Sequence, residues 1–324
     1  MALAFDPEEP FQVAAIDLGG TKIAGALVTY AHHGAQPEIG WSTSTPTAPK
    51  RGGSAVLADM VGIARQLIEH AEHPVAGIGC DAAGCINPKD GSVLYANGIM
   101  PGWMGQPIAE RMTQVFDLPA TAMGDVHAHA LGESRWGAAR GRQSALMVAI
   151  GTGLGGGYIL DGKVVRGFHG AAGHIGHTIH PAAAGITCAC GADSHVESVT
   201  SGTAISAIYQ GRAFGDDLDP ALMGDTVSAR AYEGEQAAID VLANAGAALG
   251  RAIGSWCNIL DPECVILSGT VVKAGPIWRN ALEEAFATQA LEPLATTPIL
   301  DGTLAGAAPL IGAAENLCDT LFKY

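Results

Sequence analysis

The stretch VAAIDLGGTKIAGALV, Val13 to Val28, decides the fold, and a second stretch, ALMVAIGTGLGGGYIL from Ala145 to Leu160, repeats its grammar. Each is a short apolar strand, a glycine-rich turn and a second apolar strand, which reads as a β-hairpin whose turn lets backbone amides approach an anion. The first turn is Asp17-Leu18-Gly19-Gly20-Thr21-Lys22 and the second is Gly151-Thr152-Gly153-Leu154-Gly155-Gly156-Gly157. Neither is a Walker loop, because GxxxxGK[ST] is absent and a strand rather than a helix follows. Each half of the chain therefore opens with a Gly-turn hairpin. The simplest architecture is two related α/β lobes that present phosphate-cradling turns to one cleft.

Outward from these hairpins, 324 residues suffice for two domains of ordinary size. Hydrophobic residues make up 48% and charged residues only 15%, so a large core is expected and disorder is not. The formal charge is −15 with no basic block, which argues against nucleic acid or an anionic membrane surface as a partner. The N-terminal residues do not form a signal peptide, and no run approaches the ~18 to 20 apolar residues of a membrane span. Seven cysteines, spread unevenly, do not resemble a disulfide framework. These features predict a soluble cytoplasmic α/β protein.

Between the hairpins, Ser54 to His70 carries apolar residues at helical spacing behind a Ser expected to cap it. Val75 to Cys80 reads as a strand, and Ala96 to Trp103 as a turn-rich segment whose Asn97 suits a binding loop or a plain surface loop. Ala120 to Met123 is a brief strand with Asp125 just past its end. A carboxylate there is placed either to work in a cleft or to cap the helix His127 to Trp136. Farther on, Glu235 to Leu260 shows an apolar stripe from Ile239 through Leu260 and stops at Asp261-Pro262. Val265 to Leu267 is a buried-looking strand that turns at Ser268-Gly269-Thr270. Helices Pro276 to Ala290 and Ala305 to Phe322 close the chain.

One loop stands apart. Five of the 11 histidines fall between His169 and His195, together with the close pair Cys188 and Cys190. Soft nitrogen and sulfur donors at His177, Cys188, Cys190 and His195 suit a tetrahedral zinc site, and Glu197 follows two residues later. The alternative is a His-rich surface loop with two unpaired thiols, since C-x-C is less diagnostic than paired C-x-x-C.

Taken together, these stretches resemble the ROK family of sugar kinases, within the actin/hexokinase-like (ribonuclease H-like) two-lobed fold. The resemblance spans nearly the whole chain. It rests on the two phosphate turns, on Asn97 with Pro101-Gly102-Trp103, on Asp125, and on Gly173-His174-Ile175-Gly176-His177, Cys188-Ala189-Cys190-Gly191 and Glu197. It implies a small N-terminal lobe, residues 1–123, with the helix 305–324 packing back on it, and a large lobe, 124–304, bearing the zinc loop. It also implies that Asp125 accepts the proton of a sugar hydroxyl, O6, during attack on the γ-phosphate of ATP. The sugar would be held by Gly84, Asn97, Asp125, His174, His177 and Glu197. The nucleotide and its phosphates would be held by Asp17, Gly19, Gly20, Thr21, Lys22, Gly151, Thr152, Gly153, Gly155 and Gly269. Asp17 would hold Mg²⁺ through water, and a structural Zn²⁺ would sit on His177, Cys188, Cys190 and His195. The partners would be a small-molecule sugar and ATP, in a homodimer.

Three departures from the family pattern bear on substrate. The usual Glu-x-Gly-His is here His174-Ile175-Gly176-His177, similar to bacterial N-acetylmannosamine kinases that feed amino-sugar and sialic acid catabolism. An imidazole both donates and accepts where a carboxylate only accepts. The Asn that normally precedes the catalytic Asp is Gly124, for which His127 or a water would substitute. The last zinc Cys is His195. Within the family the alternatives are glucokinase and N-acetylglucosamine kinase. A sugar-responsive repressor of the same fold is a different class, but 16 residues before Asp17 are too few for a helix-turn-helix. A non-catalytic sugar binder would not need Asp125 and both turns.

Overall fold

The computed structural model describes residues 5–96, 98 and 100–322. The chain divides into two compact units, one comprising Met1–Gly141, Gly157–Gly173 and Thr303–Tyr324, the other Arg142–Gly156 and His174–Gly302. The helix that begins after residue 124 thus belongs to the first unit.

The first unit is built on strands β1 (Phe11–Leu18), β2 (Lys22–Tyr30), β3 (Glu38–Pro46), β4 (Val75–Ala82) and β7 (Ala120–Gly124), with a small ribbon of β5 (Cys85–Ile86) and β6 (Val93–Tyr95). Its helices are α1 (Gly53–Glu69), α2 (Ile108–Phe116), α3 (Asp125–Trp136) and, from the end of the chain, α9 (Ala308–Phe322). The sheet order is β3-β2-β1-β4-β7. Strands β1 and β2 pair antiparallel from Phe11↔Tyr30 to Leu18↔Ile23, whereas β4 runs parallel to both β1 and β7. Strand β1 is apolar on both faces because both are covered. Ala14, Ile16 and Leu18 pack with Val56, Met60 and Ile63 of α1, while Phe11, Val13 and Ala15 pack with Leu310, Ala314 and Leu317 of α9.

A buried carboxylate ties α9 to the site helix. Glu133 of α3, fully buried, accepts hydrogen bonds from the amides of Ala138 (2.9 Å), Thr303 (3.1 Å) and Leu304 (2.8 Å). Such charge-assisted bonds to backbone N–H hold both ends rigidly.

The second unit carries most of a second sheet of the same plan, whose residues 157–164 fall in the first unit. Strands β8 (Ala145–Ile150), β9 (Leu154–Leu160), β10 (Lys163–Val164), β11 (Val265–Ser268) and β12 (Ile299–Asp301) form a sheet of order β10-β9-β8-β11-β12. Strand β11 is parallel to β8 and β12, and β10 is antiparallel to β9. The two sheets therefore share one connectivity, as the repeated hairpin grammar predicts. Helices α4 (Glu197–Thr200), α5 (Gly202–Tyr209), α6 (Asp225–Tyr232), α7 (Gln236–Leu260) and α8 (Pro276–Gln289) complete the unit. Leu242, Leu249 and Ile253 of α7 meet Val148, Ile150 and Val265 in its core. Gly246 and Gly250 let α8 approach: a Cβ at either would stand 2.3 Å from the Trp278 carbonyl or 2.1 Å from that of Leu282.

Local readings differ in three places. Ser54 does not cap α1; the cap position is Gly52, and the Ser54 hydroxyl instead accepts from Gln106 Nε2. Helix α9 begins at Ala308 after a single 3₁₀ turn at Ala305–Ala307. Strand β3 carried no apolar signal because it is an edge strand whose residues are mostly exposed.

Candidate active site and metal-ligand cluster

In the first unit, three carboxylates meet at the carboxy ends of three adjacent parallel strands. Asp17 on β1 and Asp81 on β4 are register partners, and Asp125 follows directly on Gly124, the last residue of β7. In parallel α/β sheets this edge is where ligands are handled. Asp125 occupies the first helical position of α3, so it is not the cap, which is Gly124. One Asp125 oxygen accepts from the Val126 amide at 2.8 Å. Burial pushes its carboxyl up to about 6, the charge of Asp17 adds to the rise, and the Val126 amide opposes it.

Asp81 went unassigned in the sequence reading, and it is the most buried acid of the three. It has no exposed surface, and no donor reaches either of its oxygens. Burial first, then Asp17 beside it, holds this carboxyl well above the carboxylate range. The Asp17–Asp81 pair forms a hydrogen bond once one of the two carries a proton. Asp17 is itself raised by burial, offset by Asp81 and by Lys22. The signal that could have found Asp81 is an acid inside the apolar strand Val75 to Ala82.

The first glycine turn closes through Gly19 N–H to the Lys22 carbonyl at 3.0 Å, and the Thr47 hydroxyl donates to the Gly19 carbonyl at 2.8 Å. Gly20, Thr21 and Lys22 are exposed. Gly84 has φ +109°, and a Cβ there would stand 2.5 Å from the Tyr95 carbonyl. Its own carbonyl lies 3.5 Å from where a Cβ of Gly124 would be, so Gly84 stands beside the Asp125 strand end. Asn97 lies outside the described residues. Trp103 from the same segment is buried and donates from Nε1 to the Ala83 carbonyl at 3.2 Å, anchoring its loop to the turn after β4.

The remaining candidates are in the second unit. Its glycine turn closes through Gly151 N–H to the Gly153 carbonyl at 3.0 Å. Glu197 accepts from the Leu154 amide at 2.8 Å through Oε2, so one oxygen of this acid is committed to the turn. Its other oxygen faces the Cys188 thiol at 3.7 Å. Gly151 and Thr152 also line a cavity of about 310 Å³ with Thr203, Asp225, Thr270 and Val271. Gly269, at φ +100°, is pressed onto β8, where a Cβ would lie 2.3 Å from the Ile150 carbonyl. Gly155 lies within β9.

The His/Cys loop folds as a knuckle. Thr187 bridges Asp193, the Cys188 amide bonds the Ala192 carbonyl at 2.8 Å, and Ile179 bridges His195. One ligand atom from each of His177, Cys188, Cys190 and His195 lies within 4.8 Å of the others. Cys188 Sγ is 3.7 Å from His177 Nδ1, and Cys190 Sγ is 3.2 Å from His195 Nδ1. Bonds of ~2.0–2.3 Å in a tetrahedron require ligand atoms about this far apart, so the donor set fits zinc. Burial pushes the Cys188 thiol up to about 11, and the nearby Cys190 and Glu197 contribute. A bound cation reverses that preference by stabilising the thiolate. The His174 and His177 rings lie 6.2 Å apart.

Two five-stranded sheets of one order, each with a glycine turn between its first two strands, define the actin/hexokinase-like fold. The chain belongs to the ROK family: a model described as "ROK family" matches residues 13–319. It is 30% identical over 292 residues to a glucokinase of Halalkalibacterium halodurans, covering 86% of each chain. It is 32% identical over 259 residues to an N-acetylmannosamine kinase of Escherichia coli O139:H28, covering 79% of this chain and 82% of the other. A ROK family glucokinase from Streptomyces griseus in complex with glucose and AMPPNP superposes with a TM-score of 0.76 at 26% identity, over 94% of this chain and 98% of that one. The chain is thus a ROK sugar kinase. No helix among the described residues is long and apolar enough to cross a membrane.

Proposed function

We propose that this kinase transfers the γ-phosphoryl group of ATP to the 6-hydroxyl of N-acetylmannosamine. The observation that carries the transfer step is Asp125 at the carboxy end of β7, raised to about 6 and so still a competent base at neutral pH. Phosphoryl transfer demands positioning and charge neutralisation more than covalent help. Asp125 accepts the hydroxyl proton, and the amides of the two glycine turns cradle the phosphates. The 310 Å³ cavity beside Gly151 and Thr152 would receive the adenosine. A magnesium ion accompanying the nucleotide would supply charge neutralisation. The hard oxygen donors of Asp17 and Asp81 fit such an ion, and Asp17 would hold it through water.

Zinc on His177, Cys188, Cys190 and His195 would supply scaffolding rather than chemistry, since four protein donors leave no open position. It would fix His177 and Glu197, with Asn97, His174 and Gly84, as the sugar-binding set. Support for N-acetylmannosamine comes from His174-Ile175-Gly176-His177, where an imidazole stands in the place of a carboxylate, and from the E. coli relative. Glucose is the second reading, supported by the H. halodurans and S. griseus glucokinases.

An ADP-release assay over N-acetylmannosamine, N-acetylglucosamine, glucose and mannose separates them. The highest kcat/KM is expected for N-acetylmannosamine. A highest value for glucose leaves the kinase in place and reassigns its substrate.

A further inference from the structure

The backbone of Gly124 does not call for glycine. At φ −67° and ψ 144° any residue is tolerated there. What a side chain would meet is His127: a Cβ on Gly124 would lie 3.2 Å from His127 Nδ1. The imidazole therefore fills the space beside the residue that precedes Asp125. It does so from the third position of α3, the place from which a capping-box side chain reaches back to a helix start that has no side-chain cap of its own.

The other ring nitrogen looks elsewhere. His127 is 2% exposed, and Nε2 lies 2.6 Å from the Ala172 carbonyl. A carbonyl only accepts, so Nε2 carries the proton and Nδ1 presents a lone pair in the neutral ring. Ala172 belongs to a tight loop. Its amide bonds the Arg166 carbonyl, Gly167 and Gly170 are in the left-handed region, and a Cβ on Gly170 would strike the Ile86 carbonyl at 2.1 Å. The chain reaches His174 two residues after Ala172.

We propose that His127 is a positioning residue for phosphoryl transfer: its ring packs into the gap at Gly124 and ties the helix start bearing Asp125 to the loop that runs into His174. The proposal rests on the sugar-kinase reading above. It assigns His127 no contact with substrate. Its effect is to fix a base and a sugar-facing loop in one geometry, and small misplacements of such groups are costly.

The test compares wild type with His127→Ala, His127→Asn, Gly124→Asn and the double variant Gly124→Asn/His127→Ala, using ATP with N-acetylmannosamine and with glucose. His127→Ala is expected to lower kcat and raise the sugar KM, each about tenfold, while the ATP KM stays unchanged. His127→Asn, which keeps a donor toward Ala172, should recover part of the loss. Gly124→Asn alone should be nearly inactive, and adding His127→Ala should restore activity above that single variant. A wild-type sugar KM in His127→Ala, or a double variant no better than Gly124→Asn, overturns the proposal. If His127→Ala does not fold, Gly124→Ala is read in its place, and an equal rise in both KM values there also overturns it. A wild type that phosphorylates none of the sugars removes the kinase reading itself, and that result is seen before any variant is compared.

Discussion

Asp125 shows how the place of a carboxyl sets its readiness to take a proton. An exposed Asp is ionised far below neutrality and is a weak base, whereas this one is lifted to about 6 by burial and by Asp17. Because the base works only when deprotonated, kcat/KM should fall as pH drops through about 6 and level off above it. A pH–rate profile of the free enzyme checks this; a profile flat down to pH 5 would assign the base elsewhere. Asp125→Asn keeps the size and removes the base, and it should lower kcat by roughly 10²–10⁴-fold with sugar binding by calorimetry retained. That Asp125 stands at a strand end was readable in the sequence, because the apolar run 120–123 stops just before it. That Asp81 stands beside Asp17 was not, since the two are 64 positions apart and meet only through the β1–β4 register.

At the scale of elements, the knuckle from Thr187 to His195 and the turn at 151–157 are joined by one acid, Glu197, which holds the Leu154 amide and faces Cys188. Cys188→Ser should therefore do more than lose a ligand. Purified variant protein is expected to hold less than about half an equivalent of zinc, and the knuckle amides should lose hydrogen-exchange protection. Full metal content in that variant would remove Cys188 from the ligand set. Helix α7 offers a second test. The Gly250 position faces the Leu282 carbonyl of α8 at a separation no side chain fits. Gly250→Leu should destabilise by about 3 kcal/mol or force the helices apart, read as a drop in the urea midpoint. The apolar stripe of α7 was legible from its spacing. The close helix pair that requires these glycines was not, because a glycine's spacing does not say what approaches it.

For the molecule as a whole, one topology is used twice, and the chain's last helix returns to the first unit. Glu133 carries that return, accepting three backbone amides across residues 138, 303 and 304. Glu133→Ala leaves those part-buried amides without their side-chain partner and should cost about 1–3 kcal/mol, measured by chemical denaturation. A loss under about 1 kcal/mol would mean that water serves the amides equally well. By itself the sequence determined the period of each element, the two hairpins with their glycine turns, and the gathering of soft ligands into one short loop, because all of these are set by neighbours within a few residues. Only the tertiary structure decided that Asp81 joins Asp17, that Glu197 holds the second glycine turn, and that His127 reaches the Ala172 carbonyl. Each of those depends on strand register and helix packing between segments distant in the chain, and no local pattern encodes where such side chains meet.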